Sequence, residues 1–155
     1  MSTDIIPVDV TIVKPVVSAE QARKGWEEFE SLKAALLSDS DYQRIGDKKF
    51  IKRSGFRKIA VVFNLSDELL EQERKDTDDG HLLWRIVVRV SAPNGRSVVG
   101  VGICDSHERK FAHVEHDVYA TAHTRAKNRA ISDMVAGGAV SAEEMGAPVN
   151  QSRRY

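Results

Sequence analysis

Residues 81–104 read HLLWRIVVRVSAPNGRSVVGVGIC, and their pattern decides the fold. Leu82, Trp84, Ile86, Val88 and Val90 fall on one side of an extended chain, with Leu83, Arg85, Val87 and Arg89 on the other. That period of two predicts a strand over 81–92. Asn94-Gly95 predicts a hairpin, because both residues tolerate positive φ. Residues 97–104 then return antiparallel. Gly100 and Gly102 share a face with Val98 and Cys104. Side chains missing from one face predict a close approach by another element.

That element follows directly. Residues 113–136 predict a helix about 36 Å long at 1.5 Å per residue. Val118, Ala122, Ala126, Ala130, Ile131 and Met134 form its apolar stripe, and the alanines allow it to lie close against the two glycines. Its other stripe reads Asp117, Thr121, Thr124, Arg125, Asn128, Arg129 and Ser132, predicted to face solvent. Gly137-Gly138 stops the helix, Ser141-Ala-Glu-Glu144 is a capping box for a short helix, and 145–155 reads as a tail.

Upstream, Glu68–Thr77 is charged and fits either a third strand or a helix, and Asp78-Asp79-Gly80 is a turn signal. Ser54 begins a helix with Phe56, Ile59, Ala60 and Phe63 inward, ending at Asn64. Ser18-Ala-Glu-Gln21 is a capping box for a helix over 19–37 carrying Ala22, Trp26, Phe29, Leu32 and Leu36, closed by Asp39-Ser-Asp41. Val8, Val10 and Ile12 alternate as a short strand. The expectation is an α+β domain over 1–144, a three-stranded antiparallel meander crossed by a long helix, with additional N-terminal helices.

Hydrophobic residues make up 41% of the 155, enough for a core, and no apolar run approaches the length of a membrane span. The segment MSTDIIPVDV lacks a basic-then-apolar signal pattern. Cys104 is the single cysteine, so no internal disulfide forms. A cytoplasmic location is expected.

Net charge is zero, yet the charge is segmented. Residues 44–58, RIGDKKFIKRSGFRK, hold seven bases and one acid; residues 67–79 hold seven acids and two bases. Segment charge governs what a local surface attracts. Lys48, Lys49, Lys52, Arg53, Arg57 and Lys58 surround Phe50 and Phe56. Cations bind phosphates and rings stack on unpaired bases. The competing reading is a solvated turn, with Phe56 in the core and Phe50 open to either use. Arg125 and Arg129 share a helix face, which suits a phosphate track or a solvated surface equally. Cys104, His107, His113, His116, Asp117 and His123 are possible metal ligands, but their spacing matches no closed four-ligand site, and capping or surface histidines explain them better. No phosphate loop, nucleophile elbow or zinc-protease motif is present, so no enzyme activity and no cofactor is expected.

The stretches RIVVRVSAPNGRSVVGVGICDS and AHVEHDVYATAHTRAKNRAISDMVAGGAVSAEE, with IKRSGFRKIAVVFNLS upstream, resemble the single-strand annealing proteins of the Rad-fifty-two-like superfamily, of the kind found in archaea and their viruses. The likeness spans about residues 45–145, and its centre is Ala122-His-Thr-Arg-Ala-Lys-Asn-Arg-Ala130. It implies a curved β-β-β-α core, homo-oligomeric rings or filaments, and a role in DNA recombination and repair. It also implies single-stranded DNA, or RNA, held by its backbone with bases free for pairing. Carried onto this chain, the groove takes Lys48, Lys49, Lys52, Arg53, Arg57 and Lys58 together with Arg125, Lys127 and Arg129. The acidic 67–79 segment would face a neighbour's basic run. Two other readings stay open: an assembly module that pairs its acidic and basic segments, and a metal-dependent nucleic-acid enzyme using the histidines.

Overall fold

A computed structural model describes residues 12–135 and 141–145. The chain divides into two compact units, Met1–Ala34 and Ala35–Tyr155. The strand expected around Val8 and Val10 and most of the expected tail lie outside the described residues. No described helix is long and apolar enough to cross a membrane.

The first unit holds most of helix α1, Ala19–Leu36. Its capping box forms as expected: Ser18 Oγ accepts from the Gln21 N–H at 3.2 Å, and Gln21 Oε1 accepts from the Ser18 N–H at 2.9 Å. Of the predicted apolar stripe within this unit, Phe29 is buried and Trp26 half-exposed, with their rings 5.6 Å apart.

The second unit contains strands β1 (Tyr42–Ile45) and β2 (Lys48–Ile51), helix α2 (Arg53–Val62), strands β3 (Ser66–Asp76), β4 (Leu82–Ser91) and β5 (Ser97–Asp105), and helix α3 (Val114–Val135). Strands β3, β4 and β5 form an antiparallel sheet in that order, and α3 packs across it. The α+β meander with its long helix is therefore the observed fold. The charged segment that fitted either strand or helix is a strand, β3, with a register shift between Leu69 and Glu71. It lies at a sheet edge, where its charged side chains reach water and discourage pairing with other chains.

The core forms where the sequence predicts. Ile86, Val88, Val90, Cys104, Val118, Ala122, Ala126 and Ala130 are at most 1% exposed. A Cβ on Gly102 would collide with the Ala122 carbonyl oxygen, and one on Gly100 with that of Ala126. The two glycines are thus the groove into which the alanine stripe settles. Phe56 and Ile59 of α2 are also buried, which places Phe56 in the core rather than on a base.

Two turns differ from expectation. The β4–β5 loop is longer than an Asn-Gly pair: Gly95 N–H donates to Ala92 O at 3.0 Å, so Pro93-Asn94 form the bend and Gly95 alone is left-handed, at φ 86°. Pro93 supplies the fixed φ that such a bend favours. The other difference is the β1–β2 hairpin, which falls inside the run read only as basic charge. Gly46, at φ 65°, takes the first central place of a two-residue turn, and Ile45 pairs with Lys48 across it. The signal was the Gly-Asp pair between short segments, obscured by the surrounding lysines.

Candidate nucleic-acid interface

The nine predicted site residues separate into four settings. Lys48 and Lys49 are exposed on β2, and Lys49 stands opposite Arg44 of β1. Like charges directly opposite repel. Lys49 lies 3.8 Å from Asp39 and 5.7 Å from the centre of the Tyr42 ring, which offsets part of that repulsion. Arg44, counted in the basic run but not chosen for the groove, thus joins Lys49 once the hairpin forms.

Lys58 is part-exposed but engaged by a carboxylate. Its ammonium sits 2.6 Å from Asp41, whose side chain is only 3% exposed. Burial alone would raise the Asp41 pKa, but Lys58, the Ser38 N–H and the Ser54 hydroxyl overcome that and hold it at about 2. Lys58 therefore serves as a buried carboxylate's counter-ion, a role its place in the basic run did not indicate. Removing it would leave a charge buried and unpaired.

Arg125, also expected in the groove, is buried and bonded within the protein. Its guanidinium donates to both Glu108 carboxylate oxygens at 2.9 and 2.7 Å, to the Ile103 carbonyl at 2.7 Å and to the Glu143 carbonyl at 3.1 Å. Asn128 and Ser132, expected on the solvent stripe, are buried too. Arg129 is half-exposed but bonded to the Glu144 carboxylate and, at 2.8 Å, to the Val101 carbonyl. Part of this comes from the turn Ala142–Met145, where half of the expected capping box forms: Glu144 accepts from the Ser141 N–H and hydroxyl, while the Glu144 N–H donates to the Ser141 carbonyl. Glu143 accepts from Asn128 Nδ2 at 3.2 Å and from the Arg53 N–H at 2.7 Å, so it also caps α2. Burial pushes the Glu143 carboxyl up, against the pull of that N–H and of the Arg53 and Lys52 charges.

The remaining cations gather on the opposite flank of α3. Lys127 is two residues from both Arg125 and Arg129, which on an α-helix rotates it by about 200°. Arg125 and Arg129 reach carbonyls of β5, whereas Lys127 lies 3.3 Å from Asp67 of β3, at the other edge of the sheet. The nine residues accordingly do not line one groove. Beside Lys127 stand Arg53 and Arg57, exposed and four residues apart on α2. Burial and then the Arg57 charge depress the Arg53 pKa. Burial, Lys127 and Arg53 likewise lower that of His123, with Asp67 opposing. His123, read only as a possible metal ligand, is thus the neighbour that sequence reasoning did not assign here. Lys52 occupies the N-cap of α2 and is half-buried.

The other candidate ligands disperse. Cys104 is fully buried, and burial foremost raises its thiol to about 11. The His113 N–H donates to Asp117, which His116 also contacts at 3.2 Å. His107 lies against His81 beside Asp105. Among the described residues no group of three or more His, Cys, Asp or Glu side chains is arranged to hold a metal ion.

No family model matches the chain, and no curated protein matches it.

Proposed function

We propose that this chain binds single-stranded nucleic acid without catalysis, holding the sugar–phosphate backbone along Arg53 and Arg57, with Lys48 and Lys49 of the hairpin as outlying contacts. The observation that carries the reading is the pair Arg53 and Arg57. They are exposed on successive turns of one helix and their charges repel, an effect that Glu143, on the Arg53 N–H, offsets in part at Arg53. Among the described residues no carboxylate pairs with the Arg57 side chain. A phosphate backbone relieves that repulsion, and a strand whose phosphates are gripped keeps bases free to pair.

The resemblance to single-strand annealing proteins extends the proposal to annealing in recombination or repair, and to a homo-oligomer. The acidic strand offers less to a neighbouring subunit than its sequence promises. Glu71 pairs with Arg85 at 2.9 Å and Glu68 with Arg89 at 3.5 Å, both within the same sheet.

Fluorescence anisotropy with a labelled oligothymidylate and with a duplex of equal length tests the reading. The single strand binds more tightly, and its affinity falls steeply with salt through counterion release. Absence of binding at low salt would overturn it.

A further inference from the structure

Between α2 and α3 lies a cleft of about 310 Å³ whose walls include Arg57, Val61, Leu65, Val90, Lys127 and Ile131. Its shape follows from how α2 ends. Asn64 is left-handed, at φ 51°, and the Asn64 and Leu65 N–H groups donate to Val61 and Ala60 carbonyls at 3.1 and 2.8 Å. This is the Schellman pattern, which folds the residue after the left-handed one back against the helix's last turn. Leu65 thereby becomes a wall facing Ala60. Val61 is left 79% exposed at the mouth.

We infer that this cleft receives one base of the bound strand, with the phosphate of the same nucleotide on Arg57. The inference deepens the proposed backbone binding and rests on it. Three properties single out a nucleotide. The floor is aliphatic, which suits the flat face of a base. The polar charge is not balanced: Lys127 and Asp67 neutralise one another at 3.3 Å, leaving Arg57 as one net cation for one phosphate. The volume stands at the lower end of small-ligand sites, which begin at roughly 300 Å³, and so admits one nucleotide and not a stack. An apolar peptide side chain would use the floor but leave the cation unmatched. One base per chain is then anchored, and its neighbours stay free.

The test compares a labelled 15-mer oligothymidylate with an abasic deoxyribose-phosphate oligomer of equal length and charge. The whole chain should bind the base-bearing oligomer about fivefold or more tightly, the scale of one base contact. Two variants follow. Ala60→Leu fills the cleft, and Val61→Ser makes its exposed mouth polar with little demand on the fold; circular dichroism confirms helicity in each. Both should reduce the oligothymidylate affinity to that of the abasic strand and leave abasic binding unchanged. Equal wild-type affinity for the two oligomers would overturn the base site and leave backbone binding standing. So would a base preference that survives in a folded Ala60→Leu variant, since the base would then lie elsewhere or a peptide would be the natural occupant. Failure of both oligomers to bind would overturn the proposed function, and this inference with it.

Discussion

Arg125 and Arg57 are the same residue type, each four residues from another arginine, yet they stand on opposite sides of α3 in unlike surroundings. Arg125 keeps 8% of its side chain exposed and bonds to Glu108, to a β5 carbonyl and to the 141–145 turn. Arg57 is exposed beside a second arginine and an apolar cleft. The first flank is held together by its charges; the second has charge available for a ligand. What separates them is the acid brought by the chain. Glu108 follows β5 closely and Glu144 arrives through the C-terminal turn, whereas on the α2 flank Glu143 reaches the Arg53 N–H and no described carboxylate pairs with the Arg57 side chain.

The sharpest way to break this contrast is to remove Arg125. Arg125→Ala leaves the Glu108 carboxylate without its buried partner and should cost about 3 kcal/mol or more. Urea unfolding should show a lower midpoint with unchanged slope. An Arg125→Ala protein as stable as wild type would mean that the β5 flank is an open surface after all. Gly102→Ala attacks the same flank from beneath. The added methyl meets the Ala122 carbonyl and forces α3 off the sheet, an overpacking cost of about 2 kcal/mol, read by the same unfolding curves.

The Asp41–Lys58 pair offers a comparison in pH. Its folded pKa is depressed, from 3.8 to about 2, so its stabilisation is fully present above the unfolded value and disappears as pH falls toward 2. The amount is about 2 kcal/mol. Asp41→Asn should remove that part of the acid dependence between about pH 5 and pH 2.5, measured by urea unfolding at the two values. An acid limb unchanged by the substitution would show that Lys58 is not engaged by Asp41. The smallest stability effect belongs to Arg57→Ala, which should alter unfolding by about 0.5 kcal/mol or less, because the side chain is exposed and unpaired by any described carboxylate.

Much of the fold is legible from residues. Alternation at 82–90, the Gly100 and Gly102 gap and the alanines at 122, 126 and 130 specify one another, because a missing side chain on one element matches a small one on the next. The β1–β2 hairpin was not legible, since four-residue strands carry little periodicity and lysines fill half of β2. The candidate site was legible only as a set of residue types. Helical spacing correctly puts Arg125 and Arg129 on one face, but whether that face meets water depends on the 108 and 141–145 segments, which lie outside the helix on either side of it. Likewise Lys58 is indistinguishable from Arg57 until Asp41 is seen beneath it. Periodicity reports direction around a helix; it does not report what arrives from elsewhere.

The central claim is that the α2 flank, and not the β5 flank, holds the strand. Salt dependence of oligothymidylate binding tests it most directly, in wild type, Arg57→Ala and Arg129→Ala, each checked for native helicity. Removing one phosphate-binding cation lowers the slope of log affinity against log salt by about 0.7. Arg57→Ala should show that decrease with weakened binding to every sequence, while Arg129→Ala, whose guanidinium is already held by Glu144 and Val101, should keep the wild-type slope. An unchanged slope in Arg57→Ala together with a reduced one in Arg129→Ala would contradict the account and move the interface to the other side of α3.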